Sequence, residues 1–220
     1  MTTSPQHAEL PLTAHLAGQR VVVVGAGAVA AGKVTRLLEA GAVVCVVAPE
    51  AVPGIAAAAR AGRVDWQARA FAPHDLDGAV LVVAATADEQ VNAAVAEAAA
   101  ARATLCVRAD GGGTAAFAAA VRRGPLLVSV STGGAAPALA RRLRVELDER
   151  YGPEYATLAA LLGELRREPE IRAALGALPA AARSARWQAV LDADILRHIR
   201  AGHLDQAKEV ARSCLLSSSD

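Results

Sequence analysis

From Arg20 to Val107 short β-branched runs alternate with longer alanine-rich ones. The runs are VVVV (21–24), VVCVV (43–47), VDWQA (64–68), VLVVAA (80–85) and TLCV (104–107), and the stretches between them predict helices over 28–40, 51–61 and 88–101. Strands that alternate with crossover helices predict a parallel, doubly wound sheet, because each parallel pair needs a long return connection. After Asp110 the texture changes to GGGTAAFAAAVRRGP, then a further strand, LLVSV (126–130), and a helix from Pro137 to Arg150. Beyond Gly152 no strand pattern remains. Leu158, Leu161, Leu162 and Leu165 follow the i, i+3, i+4, i+7 spacing of an amphipathic helix, and Trp187 to Ile199 repeats the helical texture. The expected fold class is α/β: a Rossmann-like parallel-sheet domain over residues 1–112, a linking segment over 113–150 and a small all-helical domain over 151–220, its serine-rich end frayed.

Composition narrows the function classes. A 54% hydrophobic content is ample for a core, and a net charge of +1 gives no overall field for nucleic acid or an anionic membrane. Aromatic residues are only 3% and are not interleaved with the basic ones, which argues further against nucleic acid. No apolar run approaches the roughly 20 residues that span a bilayer. The opening MTTSPQHAELPLTAH lacks a basic region followed by a long apolar one, so a cytoplasmic protein is expected. Cys45, Cys106 and Cys214 are expected to be inert thiols. His198 and His203 are five apart, and His7, His15 and His74 are scattered, so no protein metal site is expected.

Between the first strand and the first helix stands GxGxxA, formed by Gly25, Gly27 and Ala30. That is the context a dinucleotide fingerprint requires. Gly25 permits the tight turn, Gly27 lets backbone approach a pyrophosphate, and Ala30 allows close packing of helix on sheet. The helix start at Ala28 and Val29 offers unpaired N–H groups to the phosphates. At the end of the second strand, Ala48 and Pro49 lead to Glu50, the nearest carboxylate for a ribose. No arginine stands nearby for a 2′-phosphate, so NAD is the expected cofactor. Thr86, at the end of the fourth strand, completes the cofactor-binding set.

Asp110 closes the last strand of the sheet and would lie on the nicotinamide side; as a plain turn or helix cap before three glycines it is equally at home. Further on, SVSTGGAAPALARRLR (129–144) joins a strand to a helix through Ser131, Thr132, Gly133 and Gly134, with Arg141, Arg142 and Arg144 in the helix and Arg122 and Arg123 upstream. Leu139, Leu143 and Leu147 form the helix stripe expected to pack.

The segments GAGAVAAGKVTRLLEAGAVVCVVAP, AATADEQVNAAVAEAAAARATLCVRAD and VRRGPLLVSVSTGGAAPALARRLR together resemble the precorrin-2 dehydrogenase / sirohydrochlorin ferrochelatase family, the N-terminal region of siroheme synthase. The resemblance runs from about Leu10 to Arg150. It implies NAD-dependent oxidation of precorrin-2 to sirohydrochlorin, followed in some members by insertion of ferrous ion as a second substrate. It implies a homodimer interlocked through residues 113–150, a segment that also meets the tetrapyrrole. Asp110 matches the family's acid/base residue, and Ser131 and Thr132 match its tetrapyrrole loop; a serine matching Thr132 is phosphorylated in one branch. The resemblance makes Ser131, Thr132, Gly133, Gly134 and Arg141 the expected substrate-binding residues, since a polycarboxylate calls for forked cations and N–H donors.

This chain departs from the family pattern in three places. Its GGGT loop after Asp110 is shorter, VRAD lacks an asparagine before the aspartate, and FAAAV lacks a proline. Two other readings stay open: a dimeric NAD-sensing regulatory protein without catalysis, and another NAD-dependent oxidoreductase acting on a small acid.

Overall fold

The computed structural model describes residues 9–217. His7 and the end of the serine tail, residues 218–220, lie outside the described residues. Five strands, β1 (Arg20–Val24), β2 (Val43–Val47), β3 (Asp65–Gln67), β4 (Leu81–Ala84) and β5 (Leu105–Arg108), form one parallel sheet in the order β3-β2-β1-β4-β5. The apolar runs are continuous because both faces of the sheet are covered. Val21, Val23, Val44 and Val46 point to one face, where α1 (Ala28–Glu39) and α2 (Pro53–Arg60) bury Ala30, Val34, Leu37, Ile55 and Ala58. Val22, Val24, Cys45 and Val47 point to the other, where α3 (Glu89–Ala100) adds Val95 and Ala99.

The helix ends follow from local chemistry. α1 stops before Gly41, which takes φ +75° and donates its N–H to the Leu38 carbonyl. α3 is capped at its start by the Asp88 carboxylate, which accepts from the N–H groups of Gln90 and Val91. A single 3-10 turn at Pro73–Leu76 lies between β3 and β4, anchored by buried Asp75 in a two-bond fork with Arg69.

The described chain divides into two compact units that part between Phe117 and Ala118. The second unit opens with an antiparallel hairpin of β6 (Ala119–Arg123) and β7 (Leu126–Val130), then α4 (Pro137–Arg150). Five helices follow: α5 (Glu154–Arg167), α6 (Pro169–Gly176), α7 (Ala180–Asp192), α8 (Ile195–Arg200) and α9 (Leu204–Leu216). They bury Leu161, Leu165, Ile171, Val190, Ile195, Ala211 and Leu215 in one core.

The structure differs from the sequence reading in three particulars. The AFAAAVRR stretch, assigned no element, holds β6, because pairing with LLVSV overrides its alanine content. The single helical texture from Trp187 to Ile199 is broken where Ala193 turns extended (φ −69°, ψ 152°), so α7 ends at Asp192. The expected leucine stripe of α4 is not a buried one: Leu139 is 49% exposed and no residue of this helix is buried. α4 rests on a two-stranded ribbon, which is too narrow to cover it.

Candidate active site

The sheet reverses its direction of growth between β1 and β4, and in such sheets ligands bind beyond the carboxyl ends of the strands at that point. Gly25 sits there with φ +103°, and a Cβ on it would lie 2.5 Å from the Ala85 carbonyl oxygen. The residue has to be glycine for two independent reasons, a left-handed backbone and contact with the end of β4. Gly27 is different. Its φ is ordinary (−79°) and a Cβ there would meet nothing within 4 Å, so no protein atom accounts for the absence of a side chain. Gly27 caps α1 without any side-chain bond, and no acidic residue occupies the first turn. Ala28 and Val29 are exposed and Ala30 is fully buried. An open backbone cradle at a helix N-terminus fits the pyrophosphate of a dinucleotide. Ala48 is buried, receives the Trp66 indole N–H at 3.0 Å, and is followed by exposed Pro49 and Glu50.

From Gly25 a chain of contacts leads to Asp110. The Thr86 N–H donates to Asn92 Oδ1 (3.1 Å), the Thr86 hydroxyl lies 2.8 Å from the same oxygen, and Asn92 Nδ2 reaches back to the Thr86 carbonyl. The same amide nitrogen donates to Asp110 Oδ2 at 3.3 Å. Asp110 is also clasped by Arg108, Nε to Oδ1 at 3.0 Å and Nη2 to Oδ2 at 2.8 Å. The Arg108 guanidinium, with the Asn92 amide in support, holds this carboxyl down at about 2. Beyond it, Gly111 and Gly112 take positive φ, and Gly113 passes so close to β5 that a Cβ would lie 2.3 Å from the Cys106 carbonyl oxygen.

Asn92 and Arg108 are the residues that sequence reasoning missed. A signal existed for each. The buried stripe of α3 is Asn92, Val95 and Ala99, and an amide on such a stripe marks a polar task. Arg108 and Asp110 are two apart at a strand end, hence on one side of the chain.

In the second unit Thr132 and Ser131 organise their own loop. Thr132 Oγ1 accepts the Ala136 N–H at 3.2 Å, just before Pro137 starts α4, and Ser131 Oγ accepts the Gly133 N–H at 3.2 Å. Gly133 and Gly134 have φ +59° and +78°. The five arginines then separate. Arg123 is filled by protein acceptors: its fork binds the carbonyls of Tyr151 and Asp148 and the Asp148 carboxylate, closing the end of α4. Arg142 pairs with Glu146 along the helix. Arg122, Arg141 and Arg144 have no carboxylate partner among the described residues.

Residues 12–119 match the family described as "Putative NAD(P)-binding", and residues 123–150 match "Sirohaem biosynthesis protein central". Siroheme synthase 1 of Pectobacterium atrosepticum is 38% identical over 213 residues, 96% of this chain and 44% of that protein. The chain is similar to siroheme synthases over nearly its whole length. Siroheme synthase of Methylobacillus flagellatus is likewise 38% identical, over 94% of this chain and 44% of its own length. The chain thus spans less than half the length of these siroheme synthase relatives. The structure of SirC, precorrin-2 dehydrogenase, shares the fold, with a TM-score of 0.68 and 24% identity over 91% of this chain and all of that one. Along this chain an NAD(P)-binding unit precedes the central segment. Among the described residues no group of three His, Cys, Asp or Glu side chains could hold a metal ion, and no helix is long and apolar enough to cross a membrane.

Proposed function

We propose that the chain oxidises precorrin-2 to sirohydrochlorin with NAD as a cytoplasmic enzyme. The observation that carries this reading is the continuous contact path from the Gly25 turn through Thr86 and Asn92 to Asp110. It sets the Asp110 carboxylate beside a dinucleotide cradle, in a chain related over nearly its whole length to siroheme synthases.

NAD, when bound, takes a hydride from the reduced macrocycle. The cradle at Gly25, Gly27, Ala28 and Val29 holds its phosphates, with Ala48, Pro49, Glu50 and Thr86 along the strand ends. The second hydrogen leaves as a proton, and Asp110 accepts it, so that precorrin-2 and NAD⁺ give sirohydrochlorin, NADH and H⁺. Clasped by Arg108, Asp110 is a weak base. A substrate carboxylate that takes the Arg108 fork releases Asp110 and raises its basicity at the moment a base is needed. In the second unit Arg141 and the loop of Ser131, Thr132, Gly133 and Gly134 supply donors for other substrate carboxylates.

The chain works as a homodimer. Exposed Leu127, Leu139 and Val145 in the β6–β7–α4 segment support this reading, since they form apolar surface that a partner would cover. Ferrous ion, where it is inserted, is a substrate, and Asp110 then accepts pyrrole protons.

An anaerobic spectrum with enzymatically made precorrin-2 tests the activity. Sirohydrochlorin forming only when NAD is added is the expected result; NAD binding with an unchanged precorrin-2 spectrum would sink the proposal. Ferrous or cobaltous ion added afterwards reads out chelation.

A further inference from the structure

The helical unit holds a hollow of about 570 Å³ that the reaction above does not use. Buried Ile171 and Leu175 form its apolar floor with half-buried Trp187, and Arg166, Arg172 and Arg183 stand around it on three different helices, α5, α6 and α7. The Arg166 guanidinium lies 5.4 Å from the centre of the Trp187 ring, which steadies both side chains. Among the described residues no acidic side chain lines the hollow.

Most other cations of these helices are paired: Arg197 with Asp194, Arg200 with Glu154, Arg212 with Glu168 and Glu170, and Lys208 with Glu168. Arg172 and Arg183 have no carboxylate partner among the described residues, and Arg166 has only the indole. Three like charges gathered over an apolar floor repel one another, and an anion relieves that repulsion. A second, apolar hollow of about 410 Å³ shares Arg166 and Trp187 with the first and extends to Leu162 and Leu191. The combined surface suits a ligand broader than one ring.

We infer that this hollow binds a flat, apolar polycarboxylate, its ring system against Trp187 and its carboxylates on Arg172 and Arg183. Size and chemistry agree: ligand sites are typically about 300 to 1,000 Å³, and arginine forks match carboxylates two bonds at a time. The tetrapyrrole of the proposed reaction has this chemistry, and in naming it the inference rests on that reading; a small aromatic diacid has it too. For a tetrapyrrole the hollow is a holding place apart from the Asp110 site.

The test uses the full chain carrying Trp66→Phe, which leaves Trp187 as the only tryptophan of the two. Uroporphyrin III and naphthalene-2,6-dicarboxylate are titrated separately and tryptophan fluorescence is followed. Saturable quenching by uroporphyrin is expected, at least tenfold weaker in R172E/R183E and changed less than twofold in R60E/R63E, a charge-matched control in the first unit. The same quenching in an Asp110→Ala background separates this site from catalysis, so it holds even where no precorrin-2 is oxidised. Quenching by the naphthalene diacid alone, with the same arginine dependence, keeps the site and replaces the macrocycle by a small diacid. Absence of quenching by both probes, or equal quenching in R172E/R183E, overturns the inference. Should Trp66→Phe fail to fold, equilibrium dialysis of the wild-type chain reads the same result, one fewer uroporphyrin per chain in R172E/R183E.

Discussion

Arg108 and Asp110 form a two-bond fork at the end of β5, both side chains about one-fifth exposed. The pair couples the acidity of the proposed base to the position of one guanidinium. Replacing Arg108 by leucine leaves Asp110 with the Asn92 amide and its own backbone N–H, and its titration should rise from about 2 toward the ordinary carboxylate value of about 3.9. Carboxyl carbon NMR across an acid titration measures this directly. The sign for stability follows. A carboxyl depressed in the folded state stabilises the protein above its unfolded value, and that contribution is lost as pH falls from about 4 to about 2. The Arg108→Leu variant should therefore lose less stability over that window than the wild type.

Asp110→Asn keeps the shape of the carboxylate and removes its basicity. Dehydrogenation should fall by about 10² to 10⁴, the usual range for a general base, while NAD affinity stays within twofold. Unchanged turnover would exclude Asp110 from proton transfer.

The two glycines of the turn should fail in different ways. Gly25→Ala puts a Cβ against the Ala85 carbonyl on a left-handed backbone, and urea denaturation should show a loss of at least about 1 to 3 kcal/mol. Gly27→Ala meets no protein atom, so stability should hold while NAD binding weakens at least tenfold. Equal NAD affinity in Gly27→Ala would show that the open space there is not where the pyrophosphate lies.

Asn92→Ala removes the acceptor of the Thr86 N–H from a fully buried position. The part-buried Thr86 N–H is then left without this partner, a loss toward the low end of about 1 to 3 kcal/mol that equilibrium unfolding would report. Asn92→Asp keeps the acceptor but sets a buried carboxylate against that of Asp110, so near neutral pH it should not recover that stability.

Much of this was readable in advance, for reasons tied to particular residues. Strands β1, β2, β4 and β5 are β-branched runs inside alanine-rich surroundings, so contrast alone reveals them. β6 has no such contrast: AAVRR resembles the alanine helices around it, and only its register with LLVSV makes it a strand. α6 and α9 escaped because their buried stripes are short, Ile171 and Leu175 in α6 and Ala207, Ala211 and Leu215 in α9, where two of the three buried residues are alanine. The glycine turn was legible because glycine punctuates. The Thr86, Asn92 and Asp110 network was not, because six and eighteen residues of separation close only when β4, α3 and β5 are side by side. The roles expected of Arg122 and Arg123 were indistinguishable in sequence; the carbonyls of Asp148 and Tyr151 separate them.

From Ala118 to Arg150 Val121 alone is buried. A two-stranded ribbon under a helix with no buried face is marginal by itself. In the proposed homodimer its order would be linked by mass action to the partner that covers it, and dilution would act on this stretch as a denaturant does. Amide hydrogens of β6, β7 and α4 should exchange faster as the protein is diluted, while those of β1 and β4 keep their protection at every concentration.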